Sequence, residues 1–231
     1  MMESLQFGSA LIRFKVEYSN RKTLGITVTP DMSVVVKAPE GARLEKIKVK
    51  VRSKAPWILK QQQHFLSFQP KTPKRKFING ESHLYLGRNY RLSIKKGSNE
   101  SVRIKSGFME VTCSDADQVS KLIKQWYLKN ARVKFQNILN RLIVRFQKYK
   151  VAPSAIVVRE MPTRWGSCTP KGKIILNPEL IKAPTPCIEY VIVHELCHLV
   201  HHAHSRKFME LQDREMPDWE KWKNKLEQLL A

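Results

Sequence analysis

His194, Glu195 and His198 stand in the order H-E-x-x-H, an arrangement that can set a metal ion beside a base. On an α-helix, positions i and i+4 lie one above the other, so both imidazoles can reach one ion. Glu195 is then placed to take a proton from water activated by that ion. Zinc suits such a site: neutral imidazole is a good zinc ligand, and two histidines leave room for a third ligand and a water.

The third ligand has to be sought further along the chain. His201 shares the helical stripe of His194 and His198. A rise of 1.5 Å per residue, however, puts it about 10 Å from His194, and zinc ligands converge to about 2 Å from one ion. One straight helix therefore cannot supply all three, and the ligand must follow a turn of the chain. That favours His204, with Glu210 second; Asp213 and Glu215 are the other acidic candidates. His201 and His202 are expected to be solvated or to support the ligands.

The elements that must hold these residues are legible around them. Residues 187–200 form a mostly apolar run that reads as a helix. Thr185 is placed as its N-cap, Pro186 at its first position, and Ile192, Leu196, Leu199 and Val200 form its apolar stripe. Residues 155–160 and 173–176 read as strands around a turn at 169–172, and Asn177-Pro178 starts a short helical segment. Residues 164–168 are the expected strand edge beside the metal, where an extended substrate can pair by its backbone. Trp165 is a candidate substrate contact, with a core position as the ordinary alternative. Arg164 is a candidate for oxyanion or phosphate binding, with a surface ion pair as its alternative. Tyr190 and His202 are further candidates beside the oxyanion.

Upstream, residues 12–17 alternate as a strand, and residues 25–28 and 33–36 flank a turn at Pro30-Asp31. Residues 44–68 read as helical with a basic face, interrupted near Pro56. The run at 71–76 is the densest positive stretch, either a partner-binding patch or a charged exposed loop. Strands are expected around 84–86, 90–94, 102–104 and 109–113. One long helix is expected over 115–149, with Ser114 as N-cap. No internal repeat or low-complexity tract is visible. The fold class expected is α+β: a β-rich basic region over 1–112, then a zincin-like metallohydrolase domain over 113–231.

Several runs together resemble the YgjP-like metallopeptidase family, which is related to the WLM and SprT-like zincins. They are residues 164–168 (RWGSC), Leu176-Asn177, residues 194–198 (HELCH), His204-Ser205 and Phe208. Leu86-Gly87-Arg88 with Tyr90, and Pro217-Asp218-Trp219, extend the likeness over most of the chain. The resemblance implies His194, His198 and His204 as zinc ligands and Glu195 as catalytic base. Met209 departs from the pattern, standing where tryptophan is expected.

Composition limits the function classes. At 231 residues, 42% hydrophobic and 27% charged, the chain can bury a substantial core. No apolar stretch approaches the ~20 residues that span a bilayer, and residues 1–14 carry no secretory signal pattern. Cys113, Cys168, Cys187 and Cys197 are irregularly spaced, as expected of reduced cysteines in a cytoplasmic protein.

The net charge of +22 is spread along the chain: residues 1–112 carry 22 basic and 8 acidic side chains, residues 113–231 carry 20 and 12. Such a surface attracts polyanions, or is simply solvated. The expected function is zinc-dependent peptide hydrolysis, with peptides or proteins as substrates. One alternative is a metal-dependent nucleoside triphosphate pyrophosphatase. The other is a nucleic-acid-associated protease or binding module acting on DNA-bound proteins.

Overall fold

Ile12, Phe14 and Val16 alternate with polar residues and are all buried, so this strand packs one face and wets the other. It is β2 (Ala10–Ser19), paired antiparallel with β1 (Met2–Phe7) and parallel with β4 (Val34–Pro39), which in turn pairs antiparallel with β3 (Gly25–Val28). Helices α1 (Leu44–Ser53) and α2 (Ala55–Leu66) follow, and their Ile47, Val51, Ala55 and Ile58 complete one small core with the sheet. The computed structural model describes residues 2–8, 10–29, 31–66, 75–162 and 164–230. Pro30, the end of the expected helix over 44–68 and most of the 71–76 basic run lie outside these.

The chain divides into two compact units, one through residue 72 and one from residue 73 to 230. The second begins with another four-stranded sheet, β5 (Ser82–Tyr85), β6 (Arg88–Lys96), β7 (Ser101–Lys105) and β8 (Phe108–Cys113). Its order, β5-β6-β8-β7, repeats the β1-β2-β4-β3 order of the first, again with a parallel central pair. The topology thus repeats although no repeat is visible in the sequence. The boundary expected near residue 113 falls inside this unit. Leu92, Met109, Val111 and Cys113 of the sheet share one core with the helices that follow.

The long helix α3 (Val119–Phe146) lays Val119, Ile123, Tyr127, Ala131, Phe135, Leu142 and Phe146 along that core. A short 3-10 turn precedes it, capped by Asp115 rather than by Ser114: the Asp115 carboxylate accepts from the Asp117 amide at 3.1 Å. A second sheet, ordered β10-β11-β9, joins β9 (Ala155–Val158), β10 (Gly166–Cys168) and β11 (Lys173–Leu176). Strand β10 is an edge. Three helices close the unit: α4 (Thr185–Val200), α5 (Arg206–Glu215) and α6 (Trp219–Leu230). The architecture is α+β, with strands leading helices in each unit.

The start of α4 is braced from a distance. Leu86 and Gly87, at φ 49° and 80°, make a two-residue turn between β5 and β6. Their amides donate to the carbonyls of Ile181 and Lys182, both at 2.9 Å. Pro184 caps α4 in place of the expected Thr185, which lies inside the helix and makes no side-chain cap. No helix among the described residues is long and apolar enough to cross a membrane.

Candidate metal centre

Helix α4 carries His194 and His198 on one face, and its apolar stripe, Ile188, Val191, Ile192 and Leu196, anchors it in the core. The helix stops at His201, whose backbone is extended, and the turn that follows brings His204 back. Ser205 then caps α5, its hydroxyl accepting from the Phe208 amide at 3.4 Å. Phe208 is fully buried, with its ring centroid 4.6–5.0 Å from those of all three histidines.

The ligating atoms of His194, His198 and His204 lie within 4.8 Å of one another. His194 Nδ1 donates to Gln212 Oε1 at 2.8 Å, and His198 Nδ1 donates to the His201 carbonyl at 3.2 Å. Those protons leave each Nε2 as a lone pair. Burial holds His194 down to about 4, against the Gln212 contact, and also lowers His198, so both rings are neutral at neutral pH. His194 Nε2 and His204 Nε2 are 3.1 Å apart. Nitrogens each ~2.0–2.1 Å from one tetrahedral ion stand roughly 3.3 Å apart. Neutral rings, oriented lone pairs and this spacing fit a divalent metal ion.

Glu195 lines the same cavity, of about 650 Å³, together with Arg164, Ser167, Cys168 and His202. Burial raises its carboxyl to about 8, opposed by the Arg164 cation and a hydrogen bond from the Cys168 amide. Its Oε2 is buried without a hydrogen-bond partner. Gly166 makes this closeness possible. A Cβ there would sit 2.6 Å from Glu195 Oε1 and 2.8 Å from Val191 Cγ1, so a side chain would force the edge strand off the helix.

The other candidates are placed as follows. Glu210 pairs with Arg206 on the surface at 2.8 Å, Asp213 accepts from the Trp219 indole at 2.6 Å, and Glu215 binds Tyr149 and Lys148. None of the three joins the histidines. His201 contributes its carbonyl. Arg164 and His202 line the cavity, whereas Tyr190 does not and stacks on Trp219 at 6.1 Å. Trp165 is likewise absent from the lining and packs half-buried against the core, the ordinary alternative for a large aromatic. All four cysteines are free; Cys197 is fully buried in the core, where burial raises its thiol to about 12, and it is not among the residues whose ligating atoms converge. The reading from sequence missed Gln212 and Gly166. The signal for Gln212 was present: it is a polar residue on the buried stripe of α5, between Phe208 and Glu215.

Comparison with protein families matches residues 22–229 to the one described as YgjP-like, metallopeptidase domain. The chain belongs to this family. A YgjP-like domain implies a metal ion and protein or peptide substrates, and the match spans nearly the whole chain. A search of curated proteins found no match.

Proposed function

We propose that the chain is a zinc-dependent, zincin-like metallopeptidase. His194, His198 and His204 would hold the ion through Nε2, with Glu195 as general base. The observation that carries this reading is the convergence of three imidazoles, two with Nδ1 protons already committed, beside a buried carboxylate with one unpartnered oxygen. Bound zinc supplies Lewis acidity, making water acidic near neutral pH and a carbonyl electrophilic. Glu195 takes the proton from the attacking water and passes it to the leaving amine. Burial alone favours its protonated form, but Arg164 and the Cys168 amide oppose this, and the charge of a bound cation would favour the ionised carboxylate further. The open edge of β10 would pair with an extended substrate backbone, and Arg164 and His202, which line the cavity, would be the donors toward the developing oxyanion.

Elemental analysis of wild type, His204→Ala and Glu210→Ala tests the ligand set. One zinc per chain is expected, lost with His204 and kept with Glu210. Peptide hydrolysis lost in Glu195→Gln with zinc retained supports the base. No uptake of zinc by the wild type would overturn the proposal.

Arg164 at the cavity also favours a second reading, hydrolysis of a phosphoanhydride such as a nucleoside triphosphate. Release of pyrophosphate or phosphate by the wild type, lost in Glu195→Gln, in the absence of peptide cleavage would select it. The nucleic-acid-associated reading rests on the net charge of +22 and on the likeness to the WLM and SprT-like zincins, and no residue of the site favours it.

A further inference from the structure

A second cavity, of about 1090 Å³, lies in the larger unit between the first turns of α3, strand β5 and residues 160–162. Neither the three histidines nor Glu195 lines it. Its size is that of a generous small-molecule site. The walls are largely apolar, with Phe77, Leu84, Ile123, Tyr127 and Met161 among them.

The polar groups at this cavity are unevenly matched. Arg75, Lys121, Lys124 and Lys182 stand against Glu160 and Glu179. Both carboxylates are already paired, Glu160 with Lys124 at 2.8 Å and Glu179 with Lys182. Arg75 donates to the Ser82 carbonyl and lies close enough to Glu81 to help lower its carboxyl, while Lys121 has no ion pair among the described residues. The cations lining the cavity therefore outnumber the carboxylates lining it, and Lys121 is left over. His83 also lines the cavity at 3% exposure, and its Nε2 has no hydrogen-bond partner. Its nearest acceptor is Glu81 Oε2, a long contact at 3.4 Å, and that oxygen also accepts the Phe77 amide at 2.6 Å. A buried polar atom left unmatched in a cavity wall calls for an explanation.

We propose that this cavity is a second binding site, for an organic anion whose apolar body fills the cavity and whose carboxylate or phosphate meets Arg75 and Lys121. A purely apolar guest would leave the surplus positive charge at Arg75 and Lys121 unanswered. An inorganic anion would leave the apolar walls against water. The occupant would lie against Asn177, whose amide donates to the carbonyls of Met161 at 2.8 Å and Arg164 at 3.1 Å. It would thus touch the segment that ends at the metal cavity.

Titration calorimetry on the full chain tests this with four probes: decanoate and decyl phosphate below their micelle concentrations, decanol below its solubility limit, and inorganic phosphate. At least one of the two amphipathic anions is expected to bind tenfold or more tighter than decanol, with inorganic phosphate weaker still. Which anion wins identifies the head group. Lys121 is exposed, so Lys121→Glu is compatible with folding and is expected to weaken that binding about tenfold. Lys129→Glu, exposed on the same helix but outside the lining, and Glu195→Gln are expected to bind as wild type does. Equal affinity for decanol, equal affinity of Lys121→Glu and wild type, or no binding of either anion overturns the proposal.

Discussion

Gln212 is 1% exposed, and its carbonyl oxygen faces His194 Nδ1 at 2.8 Å. An outer partner of this kind fixes both the tautomer and the ring plane of a ligand, and its loss typically costs 10–100-fold in metal affinity. Gln212→Ala is therefore expected to weaken zinc binding by roughly that factor, while Gln212→Glu keeps an acceptor and binds at least as well as the alanine variant. Competition against a chromophoric chelator measures it. Unchanged affinity in the alanine variant would mean that packing on Phe208 alone sets the ring. Gly166 answers a different need, close approach of β10 to α4. Gly166→Ala forces a contact of 2.6 Å with Glu195 Oε1, and overpacking of this kind costs about 1–3 kcal/mol. The expected result is zinc content near wild type with hydrolysis reduced at least tenfold; full activity would show that the strand can yield. His194, Glu195 and His198 were legible because helical periodicity alone brings them together. Gln212 showed only as a polar residue on an apolar stripe and Gly166 not at all, because their partners depend on how α5 and β10 pack against α4.

The elements around the site carry their own predictions. At Gly87 the backbone is left-handed, and a Cβ would meet Pro184 Cγ at 2.7 Å. Backbone strain of about 1–2 kcal/mol adds to that clash, so Gly87→Ala is expected to lower the thermal midpoint of the larger unit. A midpoint equal to wild type would remove the turn as a brace for α4. At the other end of the site, Glu215 of α5 is buried and bound to Lys148 at 2.7 Å and to the Tyr149 hydroxyl at 2.6 Å, with Arg145 at 3.4 Å. Burial pushes its carboxyl up, but Lys148, Tyr149 and Arg145 together hold it below the usual range. A depressed folded pKa contributes stability above the unfolded value of about 4.3, and that stability is lost as pH falls through the folded pKa. Glu215→Gln should thus cost about 1–3 kcal/mol at neutral pH and flatten the acid limb below about pH 4. Urea midpoints measured across pH read both effects; an unchanged acid limb would place the sensitivity elsewhere. Helices α3 and α4 and most strands followed from periodicity. Strand β1 was missed, and the caps fell one residue away on Asp115 and Pro184, since neighbouring residues compete for a cap and only the packed chain decides.

At the scale of the whole molecule, sheet order repeats from one unit to the other while the helices after it differ. Residues 82–113 looked like a continuation of the preceding strands, which is why the boundary was expected near residue 113. Which core a strand joins is a long-range matter: Leu92 and Met109 meet α3, and nothing in their local pattern shows it. Each unit has a hydrophobic core of its own, and all three histidines belong to the second. A ligand that binds only the folded state stabilises the unit that holds it, by about 2.7 kcal/mol at a hundredfold excess over its dissociation constant. For a unit of this size each kcal/mol moves the midpoint by about 2–4 °C. Calorimetry of the full chain should therefore resolve two transitions. Chelation should lower the one belonging to the larger unit by roughly 5–10 °C and leave the other in place. One shared transition that shifts as a whole would show that the two cores unfold as one and that a metal bound at α4 is felt in the N-terminal sheet.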